Sequence, residues 1–201
     1  MARTKDHLLN KMWRTKSARF NAGQRLRVIH ALSIWTTSFL AFYVFCMSLA
    51  AIFILYYNLT SDPAQYSQYF SLATLVLSVF LIIVTLLESS KRYLNEADSM
   101  LQSGNEIGEI YNLFQSFSED EKEKKRTEVA RQYSKVLKAL PVNHKDIDFA
   151  AFQIQNASEL GIGWGGLFLV VLKFAFLSVI EYGLFLFMLI SPLIFTLALT
   201  L

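Results

Sequence analysis

The chain has 201 residues, of which 54% are hydrophobic and 17% charged, and its formal net charge is +3. Soluble domains are about 45–50% apolar and about 25% charged, so this composition argues against an ordinary soluble domain and predicts a membrane protein. The only cysteine, Cys46, lies in an apolar run, which excludes a disulfide framework within the chain.

Residues 1–33 form a basic entry segment with eight Lys or Arg and one Asp. Leu9, Trp13 and Phe20 lie on one side at helical spacing, so we expect a helix that runs directly into the following apolar run, with Gly23 as its only weak point. Clustered positive charge is typical of a segment at an anionic membrane surface. We therefore expect contact with a lipid bilayer and no direct binding of nucleic acid.

Residues 34–87 predict a transmembrane hairpin. Two runs without a charged residue, 34–57 and 70–87, are 24 and 18 residues long. At 1.5 Å per residue, both can cross a hydrocarbon core about 30 Å thick. The link between them lacks Lys and Arg, whereas basic residues flank the other ends of both runs. By the positive-inside rule, the N-terminus is cytoplasmic and the link lies outside.

Small and hydroxylated side chains follow one face of each run. Spacings of three, four and seven residues place them on a helical stripe. The stripes contain Ser33, Thr37 and Ser48 on the helix of the first run and Ser71, Thr74, Ser78 and Thr85 on that of the second. Two interpretations stay open: close helix packing with hydroxyl bonds across the contact, or the lining of a water-filled path. A path requires a homo-oligomer, because two helices cannot enclose one.

Residues 88–160 predict a cytoplasmic helical domain. Apolar residues at helical spacing continue the second run as a helix, with a soft point expected at Gly104 and Gly108. Ser118 followed by Glu121 matches a capping box, so another helix should begin there and pack antiparallel to the first.

The polar turn PVNHKDIDF leads into a helix that we expect over residues 147–160. His144 stands there with Asn143, Asp146 and Asp148. One His with two Asp lacks the ligand number and spacing of a metal site, so we expect turn and capping contacts.

Catalytic chemistry is not indicated by the sequence. The three histidines are far apart, the chain has no HExxH or GxSxG pattern, and no carboxylate pair lies in the first two apolar runs. We expect no enzymatic activity, no metal and no cofactor.

Residues 161–201 begin with glycines and continue as an apolar membrane region that contains Lys173, Glu181 and Pro192. Their length leaves two alternatives: two short spans, or one tilted helix that ends before the proline. A charge at the membrane centre costs about 2.5 to 3.5 kcal/mol on insertion scales unless it snorkels or is paired. Lys173 is therefore either a functional residue or one that snorkels to the inner interface.

Two patterns flank the hairpin: W-x-T-x-x-A-R-F in the entry segment and N-H-x-x-x-D-F after the cytoplasmic helices. Over about residues 5 to 160, this arrangement resembles the SLATT family, the two-transmembrane effectors of bacterial anti-phage conflict systems. The matching residues include Trp13, Lys16, Arg19, Phe20, Arg25, Asn143, His144 and Asp148. The appended apolar region resembles the subfamily encoded beside reverse transcriptases.

The resemblance implies an effector of the bacterial inner membrane that oligomerises, forms a pore or disrupts the membrane, and halts the infected cell when a sensor is triggered. It implies a reverse transcriptase, or another sensor protein encoded nearby, as the partner. A non-conducting membrane anchor or adaptor is the alternative, with the same topology. Trp13, Arg19 and Arg25 are expected to hold the entry helix at the inner leaflet and against the antiparallel pair of cytoplasmic helices.

Overall fold

The computed structural model describes residues 6–57, 62–140 and 144–200, and every regular element among them is an α-helix. The helices are α1 His7–Tyr57, α2 Pro63–Ser89, α3 Tyr93–Ser116, α4 Glu119–Ala139, α5 Asp146–Gln155, α6 Ala157–Leu160 and α7 Trp164–Thr200. Segments in α1, α2 and α7 are long and apolar enough to cross a membrane. The chain is therefore an all-α membrane protein, as its composition predicted.

Two helices begin where their sequences supply caps. The Asp62 carboxylate accepts a hydrogen bond from the backbone N–H of Gln65 (3.1 Å), and Pro63 stands in the first turn of α2, where a missing N–H costs nothing. Ser118 and Glu121 form the predicted capping box at the start of α4. The prediction that a helix begins after Ser118 is confirmed.

Residue contacts divide the chain into two compact units. Unit 1 consists of Met1–Ile29 and Tyr93–Glu181, and unit 2 consists of His30–Arg92 and Tyr182–Leu201. α1 is continuous over 51 residues, which confirms that the entry helix runs into the first span. α1 and α7 both contribute residues to each unit.

The core of unit 1 joins α1 to α3 and α4. One buried cluster contains Leu9, Met12, Ile107, Phe114, Val129 and Tyr133. A second contains Ala22, Leu26, Ala97 and Met100. The apolar side of the entry helix thus packs against protein, and α3 and α4 contact each other as the predicted pair.

The soft point expected at Gly104 and Gly108 is wrong. α3 is continuous through both residues, and both are buried. A Cβ at Gly104 would meet the Phe20 ring at 3.4 Å, and one at Gly108 would meet the Lys16 side chain at 3.3 Å. These glycines make room for side chains of α1, so their lack of a Cβ serves packing and not bending.

The C-terminal apolar region is one helix of 37 residues that continues through Pro192. Of the two alternatives from the sequence, the structure has the single helix, but it does not end before the proline as expected. In unit 2, Met188 packs with Leu40 and Val84, and the Tyr43 hydroxyl donates to the Pro192 carbonyl (2.7 Å). α7 therefore joins the hairpin as a third helix.

Two predicted helices are each interrupted once. The second span does not continue directly into α3, because residues 90–92 separate α2 from α3. The helix expected over 147–160 is divided into α5 and α6 at Asn156, whose side-chain amide donates to the Phe152 carbonyl (2.9 Å). An asparagine that bonds to nearby backbone competes with the helix and ends it.

Candidate functional site where α1, α5 and α7 meet

Four charged residues of unit 1 form one ion-pair cluster, which we call the junction cluster: Arg25, Lys145, Asp148 and Glu181. Arg25 Nε donates to Asp148 Oδ1 (2.8 Å), and Arg25 Nη1 donates to the Glu181 carboxylate. Lys145 Nζ donates to both carboxylate oxygens of Glu181 (2.8 and 3.0 Å). The cluster links α1, the start of α5 and α7.

The centre of the junction cluster is buried and its charges balance. The side chains of Arg25 and Asp148 are 8% and 1% exposed, and that of Glu181 is 17% exposed. The two positive charges balance the two negative charges. Such pairing is needed because an unpaired charge is costly to bury. Asp148 also accepts from the backbone N–H of Lys145 (2.8 Å), in the first turn of α5, where the helix dipole favours an anion.

Lys173, the other charged residue of α7, pairs with Asp146 at the start of α5 (3.0 Å). Both side chains are more than half exposed, at 52% and 78%. The structure thus accommodates Lys173 by pairing within unit 1. The beginning of α5 provides partners for both charged residues of α7.

The segments that carry the two family patterns, far apart in the sequence, contact each other between α1 and α5. The Trp13 ring meets the edge of Phe152, with ring centroids 4.9 Å apart, and the Asn21 amide donates to the Asp148 carbonyl (3.2 Å). His144 stacks on Phe149 at the start of α5. Asn143 lies outside the described residues.

Arg19 fixes α1 to α3 in the same unit. It is 3% exposed, and its guanidinium donates to the Ser103 hydroxyl and to the Leu140 carbonyl. Burial lowers the pKa of Arg19, while nearby Tyr133 and Glu106 act in the opposite direction. Arg19 thus contacts α3 of the predicted helix pair, whereas Arg25 and Trp13 contact α5 and α7 instead. Their expected contact with the inner leaflet stays a prediction.

Sequence reasoning assigned Asp148 to turn chemistry and did not find its ion pair. It also treated Glu181 as an intramembrane charge and gave no role to Lys145. The sequence did contain one indication of this contact: an acidic residue in an apolar helix requires a cationic partner, and the entry segment is rich in Lys and Arg. Spacing alone could not identify Arg25 as that cation, because the pair is separated by 156 residues.

The hydroxyl stripes lie in unit 2, where their described hydroxyl bonds return to their own helices. Five side chains donate to carbonyls one turn earlier, at 2.7 to 3.0 Å: Thr37, Ser48, Thr74, Ser78 and Thr85. Ser33 is buried, and Ser71 is exposed. The sequence missed Thr36, which is 1% exposed and whose hydroxyl has no partner among the described residues.

Part of each stripe meets at a groove between α1 and α2. The groove has a volume of about 430 Å³ and is lined by Ser48, Ala51, Ile52, Leu55, Tyr56, Ser67, Ser71 and Thr74. The wall of the groove is mainly apolar and contains several hydroxyl groups. Such a surface can contact either water or another packed helix. Among the described residues, no three His, Cys, Asp or Glu side chains are grouped as metal ligands.

These features define a helical membrane protein in which a charged helical unit and an apolar hairpin share two long helices. The family model described as "SMODS and SLOG-associating 2TM effector domain family 5" matches residues 1–198, and the chain belongs to this SLATT family. It is thus a two-transmembrane effector domain linked to conflict systems. The match includes α7, which the sequence patterns had placed outside the family core.

The relation to the subfamily encoded beside reverse transcriptases stays a prediction. Comparisons with curated proteins and with solved structures gave no significant match.

Proposed function

We propose that this chain assembles into a homo-oligomer that permeabilises the bacterial inner membrane and so arrests or kills the cell in anti-phage defence. The observation that carries the proposal is the groove in the hairpin of an effector-domain family member, whose mainly apolar wall contains the hydroxyl groups of both stripes. A path for ions needs polar groups at membrane depth, and hydroxyl stripes provide them without charge.

The geometry of the stripes supports a wet surface better than cross-helix bonding. Thr74 and Ser78 are half-buried, and each hydroxyl hydrogen is used by a carbonyl of α2. A hydroxyl oxygen bonded in this way still has lone pairs that can accept hydrogen bonds from water. Several copies are needed because a groove on one chain is open to one side.

The orientation and the trigger are also part of the proposal. The basic entry segment and helices α3 to α6 lie in the cytoplasm by the positive-inside rule, and the hairpin link lies outside. A sensor protein, such as a reverse transcriptase encoded nearby, acts on these cytoplasmic helices. We propose no catalytic step and no cofactor.

A non-conducting adaptor is the second candidate, and α4 is the observation that favours it. This helix presents an exposed charged surface with a groove lined by Glu128, Arg131, Gln132, Ser134, Lys135 and Lys138. Charged, solvated helix surfaces recruit partners by electrostatic complementarity. The adaptor needs this surface but no ion path.

Replacing Ser78 by Leu tests the proposal in cells. If the stripe lines the path, the Leu side chain adds an apolar constriction that dewets the path, so depolarisation and growth arrest should be lost while cross-linked oligomers persist. Val79→Leu is the matched control, since Val79 is the next residue on α2 and is 53% exposed. A membrane potential dye and growth curves provide the readout.

If the Ser78→Leu protein depolarises the membrane as strongly as the wild-type protein, the proposal that the α2 stripe lines the ion path is rejected. Expression of the wild-type chain without depolarisation, but with capture of a cytoplasmic partner, would favour the adaptor.

A further inference from the structure

Two oxygen atoms buried in unit 2 have no hydrogen-bond partner in the part of the chain that the structure describes: the Thr36 hydroxyl and Oε2 of Glu88. Thr36 is 1% exposed, and the Glu88 side chain is 9% exposed. Buried polar atoms in proteins are almost always hydrogen-bonded, because an unpaired one has lost its contacts with water without replacement. Each of these two oxygens therefore requires a partner.

The packing of α1 on α2 directs both side chains to the same contact. One buried cluster contains Leu40 of α1, Val84 of α2 and Met188 of α7. Thr36 lies one turn before Leu40 on α1. Glu88 lies one turn after Val84 on α2. Residues four apart lie on the same face of a helix, so both side chains continue the face that packs in this cluster.

The register of the hairpin places the two side chains at the same level. Residues 48–56 of α1 and 67–74 of α2 line the groove together, and Leu40 packs with Val84 in the cluster. Residue numbers therefore fall along α1 as they rise along α2. Continued by one turn, this antiparallel register brings Thr36 beside the last turn of α2, which contains Glu88.

The charge of the site favours a neutral ligand. The other carboxylate oxygen of Glu88, Oε1, accepts a hydrogen bond from the Lys91 ammonium (2.7 Å), so the negative charge of Glu88 is already balanced. A metal cation between Thr36 and Glu88 would add an unbalanced positive charge at a buried position, which is costly. Water is neutral, and buried waters typically bond to polar groups that have no other partner.

We infer that a water molecule binds between α1 and α2, where it donates to Oε2 of Glu88 and accepts from the Thr36 hydroxyl. The bridge satisfies both buried oxygens and joins the last turn of α2 to α1. It belongs to a single chain, so the inference goes beyond the proposed function and does not depend on an oligomer.

The sign of the stability change in Thr36→Val tests this site, because valine has nearly the shape of threonine but no hydroxyl. If the hydroxyl donates to the water, the unfolding midpoint in detergent should fall by about 2–4 °C. If the hydroxyl has no partner, the substitution removes an unpaired polar group and the midpoint should rise. Thr37→Val is the matched control and should change the midpoint less, since the Thr37 hydroxyl donates to the Ser33 carbonyl of its own helix (2.9 Å).

Solid-state NMR with polarisation transfer from water identifies the ligand in bilayers. In the wild-type chain, water should polarise the Thr36 Cβ and Glu88 Cδ carbons more strongly than the side chain of Val84, which is 5% exposed. In Thr36→Val, the Glu88 signal should fall by about half, because the water loses one of its partners.

Three results would overturn the inference. The first is a higher midpoint for Thr36→Val. The second is a lower midpoint while Glu88 receives no more polarisation than Val84, which would indicate a direct bond between the two side chains. The third is an effect of Thr36→Val that disappears when choline replaces Na⁺ and K⁺, which would identify a cation as the ligand. Conduction is tested separately by Ser78→Leu, so the proposed function can fail or succeed independently.

Discussion

At the scale of single residues, the junction cluster explains how an apolar helix can contain a glutamate. Glu181 is stabilised in the apolar helix α7 because it forms ion pairs with Arg25 of α1 and with Lys145 at the start of α5. Asp148 then neutralises the buried Arg25. We expect this cluster to position the three helices, because moving one of them would leave a buried charge without its partner.

Asp148→Asn should destabilise the protein strongly. The substitution leaves Glu181 as the one carboxylate of the cluster opposite the two cations, Arg25 (8% exposed) and Lys145, and breaking a buried pair costs about 3–5 kcal/mol. Arg27→Ala is the control, because the Arg27–Asp98 pair is 55% and 65% exposed and such pairs contribute about 0–1 kcal/mol. Unfolding midpoints in detergent measure both. Similar midpoints for the two variants would contradict this role of the cluster.

At the scale of elements, the sequence specified local features well. The Ser118 cap and the uninterrupted pattern through α1 depend on neighbouring residues and could be predicted. The packing of Gly104 and Gly108 could not, because it depends on α1 side chains more than 80 residues away in the chain. For the same reason, the sequence identified Arg25, Asp148 and Glu181 as notable residues but not as partners.

The capping box of α4 should make the stability of this helix depend on pH. The Ser118 backbone N–H, and then its hydroxyl, hydrogen-bond to Glu121 and hold the pKa of that carboxyl below its ordinary value of 4.5. A depressed folded pKa gives a contribution that is complete above the unfolded pKa and is lost as pH falls through the folded value. Acidification below about 4.5 should therefore weaken α4.

Glu121→Gln should remove this component of the pH dependence, because the amide can still accept the bond but does not titrate. Glu119→Gln should retain it, since Glu119 pairs with Lys122 and does not cap. Hydrogen exchange of α4 amides across the acidic range makes the comparison. Identical pH profiles for wild type and Glu121→Gln would count against the capping account.

At the scale of the whole molecule, we predict the membrane topology from the charge distribution and from the three helices that are long and apolar enough to span a membrane. Unit 1 contains the basic entry segment and the charged α4, so we predict that accessible tags at position 2 and near Glu121 report the cytoplasm. A tag inserted at Gln65, within the link between the two runs, should report the outside. Labelling of Gln65 only after the inner membrane is permeabilised would reverse this topology.

Conduction by an oligomer is the claim on which the functional account depends. The most direct measurement is single-channel recording from purified wild-type protein whose native mass in detergent is determined on the same sample. We predict a mass of several chains and discrete conductance steps. A monomeric mass, or an intact oligomer that leaves the bilayer sealed, would contradict the account.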